Sequence, residues 1–310
     1  MLMDTRVDLT LYEADKETSD QVVEAVFGEM ERLENMISRT IPASELNMIN
    51  QAAGKEWVKV DPELFFLLQK ALEISALTDG AFDPTIAPVI ELWGFGEDHP
   101  KVPADGDLQK YLQLVDYKLI ELDENGCMVY LPVEGMKLDL GGIAKGFIVD
   151  RCLETGRMFS RQAFFINAGG DISMSGVKPS GEEWVIAVQD PKVPETAESI
   201  DNIAVLRLEE EGSVVTSGDY QRYFEENGVR YFHILDPVNG KPARRLSSVT
   251  IVAKDAMTAD ALATAVFVLG KEKGIPLLES LPGIDGILVD PEGEIAYTSG
   301  LEGHIELINN

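Results

Sequence analysis

Cysteine and histidine are scarce in this chain of 310 residues, which has two of the first and three of the second. Cys127 and Cys152 are too few for a disulfide framework, and their spacing fits no zinc ribbon. Basic residues are also short: 26 Lys and Arg stand against 54 Asp and Glu, a formal charge of −28. Such a field repels nucleic acid and anionic membrane surfaces, which removes DNA and RNA from the candidate partners. No apolar run approaches the roughly 18 residues that span a bilayer. Met1 to Thr10 lacks the basic start and apolar stretch of a signal peptide, so the chain is expected to be soluble as it stands, with room for an export segment removed from a longer precursor. There is no Gly-x-Ser-x-Gly elbow and no His-Glu-x-x-His helix, so serine-hydrolase and zinc-protease chemistry find no support. Repeats and low-complexity tracts are missing too, which excludes solenoids and long disordered linkers.

What is present is enough apolar sequence, 45%, for one large core or two fused ones. The chain reads as a single domain over 1–310, in one body or in two closely packed lobes. Val23, Val26, Met30, Leu33 and Ile37 recur at helical spacing and predict an amphipathic helix over Val22 to Ile37. Asp61 as cap, Pro62 in the first turn, and Leu64, Leu68 and Leu72 predict a second that stops before Gly80. Strands are expected at Val129 to Leu131, Met136 to Leu138, Trp184 to Val188 and Ser247 to Ala253, with a hairpin of Gly286 to Val289 and Glu294 to Tyr297. Short turns between strands imply antiparallel sheets. Pro191 to Asp201 reads as a surface loop, and Glu209-Glu210-Glu211 as a solvated turn.

Asp139-Leu140-Gly141-Gly142-Ile143-Ala144-Lys145-Gly146 packs three glycines, a carboxylate and a lysine into one turn. Glycine permits positive φ and close approach of main chain to a ligand, and successive N–H groups beside a lysine suit an anionic oxygen. The spacing matches neither the Walker motif nor the dinucleotide fingerprint, and a plain strand-to-helix connection is the alternative. Given the acidic field, a pyrophosphate ligand would need a local cation, either a metal or a lysine. Asp255 can cap a helix that ends at Gly270, on which Asp260 and Thr264 lie four apart on one face. Two hard oxygens there suit magnesium; the alternative is a buried Asp satisfied by hydrogen bonds. His233 precedes the turn-forming Asp236-Pro237-Val238-Asn239-Gly240 and is either a base or a packing residue. Asn167-Ala168-Gly169-Gly170-Asp171 is a second glycine pair, either a close approach or a bulge.

In order and spacing these blocks resemble the ApbE family of FAD:protein FMN transferases. The likeness runs from Met3-Asp4-Thr5 through Ser44-Glu45-Leu46-Asn47-Met48-Ile49-Asn50, Asp79 to Thr85 and Leu92 to Gly96. It continues with Leu138 to Asp150, Asn167 to Asp171, Thr216 to Tyr220, His233 to Pro242 and Ala259 to Ala265. The resemblance implies an α+β fold related to the T-fold, with antiparallel sheets and packed helices. It implies FAD as substrate, Mg2+ held by Asp260, Thr264 and the carbonyl of Ala144, and His233 and Asp260 as catalytic residues. FAD contacts would come from Ser44, Glu45, Asn50, Asp83, Asp139, Gly141, Gly142, Lys145 and Asp150. Asn167, Gly169, Gly170 and Asp171 would form a shaping loop nearby.

The implied reaction moves FMN from FAD onto a Ser or Thr hydroxyl of an acceptor protein and releases AMP. The implied acceptor is a membrane redox subunit. Family members are commonly exported and lipid-anchored, which implies an extracytoplasmic place, periplasmic or on the outer face of the membrane, for a chain whose anchor lies upstream; a cytoplasmic form is the alternative. Thr40 stands where many members carry a tyrosine that stacks on the isoalloxazine, and the opening has Asp4 in place of the commoner glycine. Loss of that stacking contact favours an alternative, Mg-dependent hydrolysis of FAD to FMN and AMP. A second alternative is an exported flavin-binding protein without turnover.

Overall fold

The computed structural model describes residues 3, 5–13, 15–96, 99–193, 201–208 and 211–308. In chain order its elements begin with β1 (Val7–Leu11), α1 (Lys16–Ile37), α2 (Glu45–Ala52), β2 (Val58–Lys59), α3 (Pro62–Leu77), α4 (Ala87–Trp93), α5 (Asp105–Leu112), β3 (Glu121–Asp123) and β4 (Met128–Tyr130). Next come α6 (Ala144–Phe159), β5 (Phe164–Ala168), β6 (Asp171–Ser175), β7 (Trp184–Gln189), β8 (Asn202–Leu208), β9 (Gly212–Gly218), β10 (Tyr223–Glu226) and β11 (Val229–Phe232). The series closes with β12 (Leu235–Asp236), β13 (Lys241–Pro242), β14 (Ser248–Ala253), α7 (Ala256–Leu269), α8 (Lys271–Glu279), β15 (Asp285–Val289), β16 (Ile295–Tyr297) and β17 (Ile305–Leu307). Helices and antiparallel sheets make an α+β protein, as expected.

The chain divides into two compact units. The first comprises Met1–Glu34, Lys145–Tyr220 and Arg245–Asn310. Its frame is a seven-stranded sheet in the order β1-β5-β6-β9-β14-β15-β16, in which every neighbouring pair is antiparallel. Strand alternation sorts its faces. Val214 joins Met174, Ile287 and Val289 in a core shared with Trp184, Val188 and Leu206 of the small sheet β17-β8-β7. Val215, opposite Ile251 in the register, points the other way, toward the face where α7 packs on β9 and β14. Helix α7 is apolar nearly all round, with Ala259, Ala261, Leu262, Ala263, Ala265 and Val266 all buried, so its second-turn Asp260 is carried into the interior.

The second unit comprises Asn35–Ala144 and Gln221–Arg244. It holds α2 to α5, the sheet β2-β4-β3, and the hairpins β10-β11 and β12-β13. Its core includes Val89, Trp93, Phe95, Leu108 and Leu235. The indole N–H of Trp93 donates to the carbonyl of Gly240 at 2.7 Å, which ties the β12-β13 turn to α4.

Several expectations are met and several need correction. Asp61 and Asp255 cap α3 and α7, accepting the N–H groups of Glu63 and Thr258. The β15-β16 hairpin forms as read. In α1 the buried stripe is Val22, Val26, Met30, Leu33 and Ile37; Val23 is exposed, because the i, i+4 step from Val26 falls on Val22. Met136 to Leu138 is not a strand: the N–H of Met136 donates to the carbonyl of Val133, and the side chain of Asn50 takes both the N–H of Leu138 (2.6 Å) and its carbonyl (3.1 Å), leaving no ladder to join there. The Gly169-Gly170 pair is not a bulge but the two-residue turn of the β5-β6 hairpin, with φ of 63° and 97°. Residues 194–200 of the expected loop, Glu209, Glu210 and Asp4 lie outside the described residues.

Candidate active site

In the first unit, α6 and α7 are joined by a reciprocal clamp. Asp150 of α6 accepts the N–H groups of Ala256 and Met257, one on each oxygen, both at 2.8 Å. In return, the N–H of Gly146 in the first turn of α6 donates to Asp260 Oδ2 at 3.0 Å. Each bond satisfies a main-chain amide that a helix start leaves open. Gly146 is needed for contact and not for positive φ: a Cβ there would overlap the Ala256 carbonyl and sit 2.7 Å from the Met257 nitrogen. Gly146→Ala is therefore expected to push the helices apart and cost about 1–3 kcal/mol of stability, the usual range for overpacking. A denaturant midpoint unchanged from the parent chain would show that the two helices tolerate separation.

Beside this clamp, the Gly169-Gly170 turn brings Asp171 to the head of β6 with its side chain fully buried. Lys145 Nζ donates to Asp171 Oδ1 at 3.0 Å, while Asp171 Oδ2 is buried with no hydrogen-bond partner. Burial raises the Asp171 pKa, and Lys145 opposes that rise. Asp260 is pushed up to about 7, by burial first and then by the charge of Asp171, against the pull of Lys145 and the Gly146 amide. Burial likewise pushes Asp150 up to about 7 despite its two amide bonds. In these bonds two buried carboxylates, Asp171 and Asp260, and the half-buried Asp150 are met by one ammonium and three amides, and an oxygen of Asp171 is left orphaned. That imbalance fits a hard cation. Thr264, four residues beyond Asp260 on α7, adds a half-buried hydroxyl on the same face; Ala144, the first residue of α6, is the last of a segment of the second unit. Among the described residues no three His, Cys, Asp or Glu side chains form a metal cage. A cation here would therefore draw on hydroxyl and main-chain oxygens besides Asp260.

In the second unit, the other sequence-selected residues hold main chain. Ser44 caps α2 by accepting the N–H of Asn47 (3.1 Å), and its hydroxyl donates to the carbonyl of Ser38 (2.7 Å). Glu45 accepts the N–H of Asp61 at 2.7 Å. Asp83 accepts the N–H and hydroxyl of Thr85 and the N–H of Tyr117, and burial raises its pKa against those bonds. Asp139 Oδ1 accepts the N–H of Gly141 at 2.7 Å, and Asp139 Oδ2 accepts from Arg39 Nε at 2.7 Å. Gly141 and Gly142 do not use positive φ, contrary to the expectation for this turn; a Cβ on Gly141 would instead lie 2.9 Å from Asp139 Oδ1. His233 follows β11, and its main-chain N–H and ring Nδ1 lie 3.1 and 3.2 Å from the carbonyl oxygen of Arg222. Thr40 is exposed, its hydroxyl 2.9 Å from that of Ser38.

Lys145, Asp150 and Asp260 are thus gathered in one cluster of the first unit, whereas Ser44, Glu45, Asn50, Asp83, Asp139, Gly141, Gly142 and His233 belong to the second. Sequence reading placed Asp171 in a shaping loop and missed it as the charge neighbour of Asp260. The signal was there in Gly-Gly-Asp: a two-residue turn fixes which way the next residue points.

Comparison with known proteins agrees with these motifs. A family model described as "ApbE family" matches residues 3–288. The chain is 34% identical over 301 residues to the FAD:protein FMN transferase of Treponema pallidum, covering 93% of this chain and 82% of that protein. It is 36% identical over 300 residues to the FAD:protein FMN transferase of Klebsiella pneumoniae, covering 96% and 90%. Among solved structures, the ApbE protein of Thermotoga maritima superposes with a TM-score of 0.89 at 37% identity over 98% of this chain and 97% of the other. The flavin transferase ApbE of Vibrio cholerae gives 0.84 at 27% identity, over 98% and 97%.

Proposed function

This chain belongs to the ApbE family and is a transferase that takes FAD as substrate, and from that premise we propose that it moves FMN, with Mg2+, onto a Ser or Thr hydroxyl of an acceptor protein and releases AMP. The acceptor hydroxyl oxygen bonds to the FMN phosphorus as the bond from that phosphorus to the AMP oxygen breaks. The hydroxyl proton passes to His233, and AMP departs with the electron pair of the broken bond. Asp260, Thr264 and the Ala144 carbonyl would hold the metal, which when bound supplies a Lewis acid that withdraws charge from the phosphate oxygens. Lys145, already in the cluster, offsets anionic charge at the head of α6. Asp150 keeps α6 and α7 in register. Asp139 and Asn50 hold the glycine turn and the residue before it, Ser44, Glu45 and Asp83 hold main chain elsewhere in the second unit, and Gly141 and Gly142 offer the turn's main chain to FAD.

The observation that carries this reading is the under-compensated carboxylate pair Asp171 and Asp260, with an orphaned oxygen beside the first turn of α6. The test is to incubate the chain with FAD and Mg2+, with and without a Thr-bearing acceptor peptide, and to follow AMP and peptide mass. A peptide heavier by an FMN group, with AMP formed in equal amount, is the expected result. AMP with free FMN and no adduct would replace transfer by hydrolysis, a reading that Thr40 favours because it offers no ring to stack on flavin. Unchanged FAD would leave a flavin-binding protein. Among the described residues no helix is long and apolar enough to cross a membrane. The reading places the chain outside the cytoplasm, anchored upstream, with a membrane redox subunit as acceptor; it rests on the family's usual setting.

A further inference from the structure

Arg39 plays no part in the reading above, yet its guanidinium is what fixes Asp139. Its side chain is 22% exposed and that of Asp139 16%, so the pair is mostly sheltered from water. The two Asp139 oxygens have separate tasks: Oδ2 receives Arg39 Nε and Oδ1 receives the Gly141 amide, both at 2.7 Å. Beyond Gly141 the turn closes with the N–H groups of Ile143 and Ala144 on the Leu140 carbonyl, at 3.0 and 2.8 Å, and runs into α6. Arg39 itself sits on a braced segment. The Asn47 amide donates to the carbonyls of Arg39 and Ile41, both at 2.7 Å, and Ser44 donates to that of Ser38. Glu91 lies 4.0 Å from Arg39 Nη1 and is paired with Lys137 at 2.6 Å, so the guanidinium is bordered by charge on two sides.

We propose that Arg39 is a positioning residue for FAD binding, which acts through Asp139 to hold the Gly141 turn in shape. This rests on the reading of the chain as a FAD-using transferase. Without the guanidinium, the Asp139 carboxylate turns toward water and the Gly141 amide loses a fixed acceptor, so the turn must be ordered again each time the flavin nucleotide binds. An exposed ion pair would contribute little. This one is sheltered and coupled to a main-chain bond.

The test compares Arg39→Ala, Arg39→Lys, Asp139→Asn and the double variant Arg39→Ala/Asp139→Asn. Arg39→Ala is expected to raise both the Kd for FAD, read by flavin fluorescence, and KM by about tenfold, the size of one charge-assisted hydrogen bond, with kcat within about twofold. Arg39→Lys should recover part of the affinity, since it restores charge without the fork. On the Asp139→Asn background, loss of Arg39 should add less than about twofold. A full, independent factor in the double variant, or unchanged FAD affinity in Arg39→Ala, overturns the proposal. Amide exchange over residues 139–144 in flavin-free protein reads the same link without turnover: it should quicken in Arg39→Ala, and equal rates overturn the role. A parent chain that neither binds nor cleaves FAD counts against the function, while the exchange result still decides whether Arg39 holds the turn.

Discussion

Asp260→Asn is expected to reduce AMP formation by about 1,000-fold or more while leaving the protein folded, because it removes one negative charge from the oxygen set that would hold the metal and little else. The several kcal/mol that a bound cation supplies to a phosphoryl transfer corresponds to that factor. The asparagine oxygen still accepts from the Gly146 amide, so the α6-α7 clamp survives. Stability should move in the opposite direction to activity. The folded pKa of Asp260, about 7, lies above its ordinary 3.8, so the folded chain keeps a proton that the unfolded chain gives up. That contribution is complete below pH about 4, declines as pH rises, and is gone above about 7. Asn carries no such loss, so in metal-free protein the variant should gain on the parent between those pH values and keep its advantage beyond them. Asp260→Ala is the harsher change: it strands the Gly146 N–H in the interior, at a cost of about 1–3 kcal/mol. Denaturant midpoints at pH 5 and pH 8, beside AMP release at saturating Mg2+, check both halves. Asp260→Asn retaining a tenth of the parent activity would remove Asp260 from the metal set.

The parts of this protein that sequence made legible are those where one local rule decides. Asp255 and Gly270 bound α7 because a cap and a left-handed glycine are short-range devices, and Asp290-Pro291-Glu292-Gly293 turns β15 into β16 for the same reason. Met136 to Leu138 is not legible as a non-strand because the main chain of Leu138 bonds to Asn50, 88 residues away, and no periodicity records such a partner. The glycine turn is legible in the sequence, but the positive φ expected of it is not found. Positive φ is absent at Gly141 and Gly142, and the close approach that demands glycine is at Gly146, against Ala256. Asp260 was legible as one member of a same-face pair on α7. Its neighbour Asp171 was not, since the contact through Lys145 joins α6 to β6 across 26 residues and depends on a hairpin turn for its direction. Arg39 escaped for a similar reason: its partner lies 100 residues on, in the very motif that drew attention.

His233→Ala should reduce kcat by about 100-fold or more if the ring takes the acceptor's proton, the usual size of a general-base contribution. A carbonyl oxygen only accepts, so the Nδ1 tautomer is the one that makes a hydrogen bond across the 3.2 Å to the Arg222 oxygen, and in that tautomer Nε2 is the basic nitrogen. The main-chain N–H of His233 donates to the same oxygen, which fixes the ring against its own backbone. His233→Gln sharpens the test, because an amide can still donate to Arg222 but cannot accept a proton in the reaction. Both variants should therefore bind FAD like the parent, and both should lose the rise of kcat with pH that a histidine base gives. An alkaline shift in buffer would not restore them, whereas small imidazoles added to His233→Ala should, since the cavity left by the ring is the size of the missing base. A loss under threefold with the pH profile intact would assign the proton to another group and leave His233 as a residue that ties β11 to Arg222.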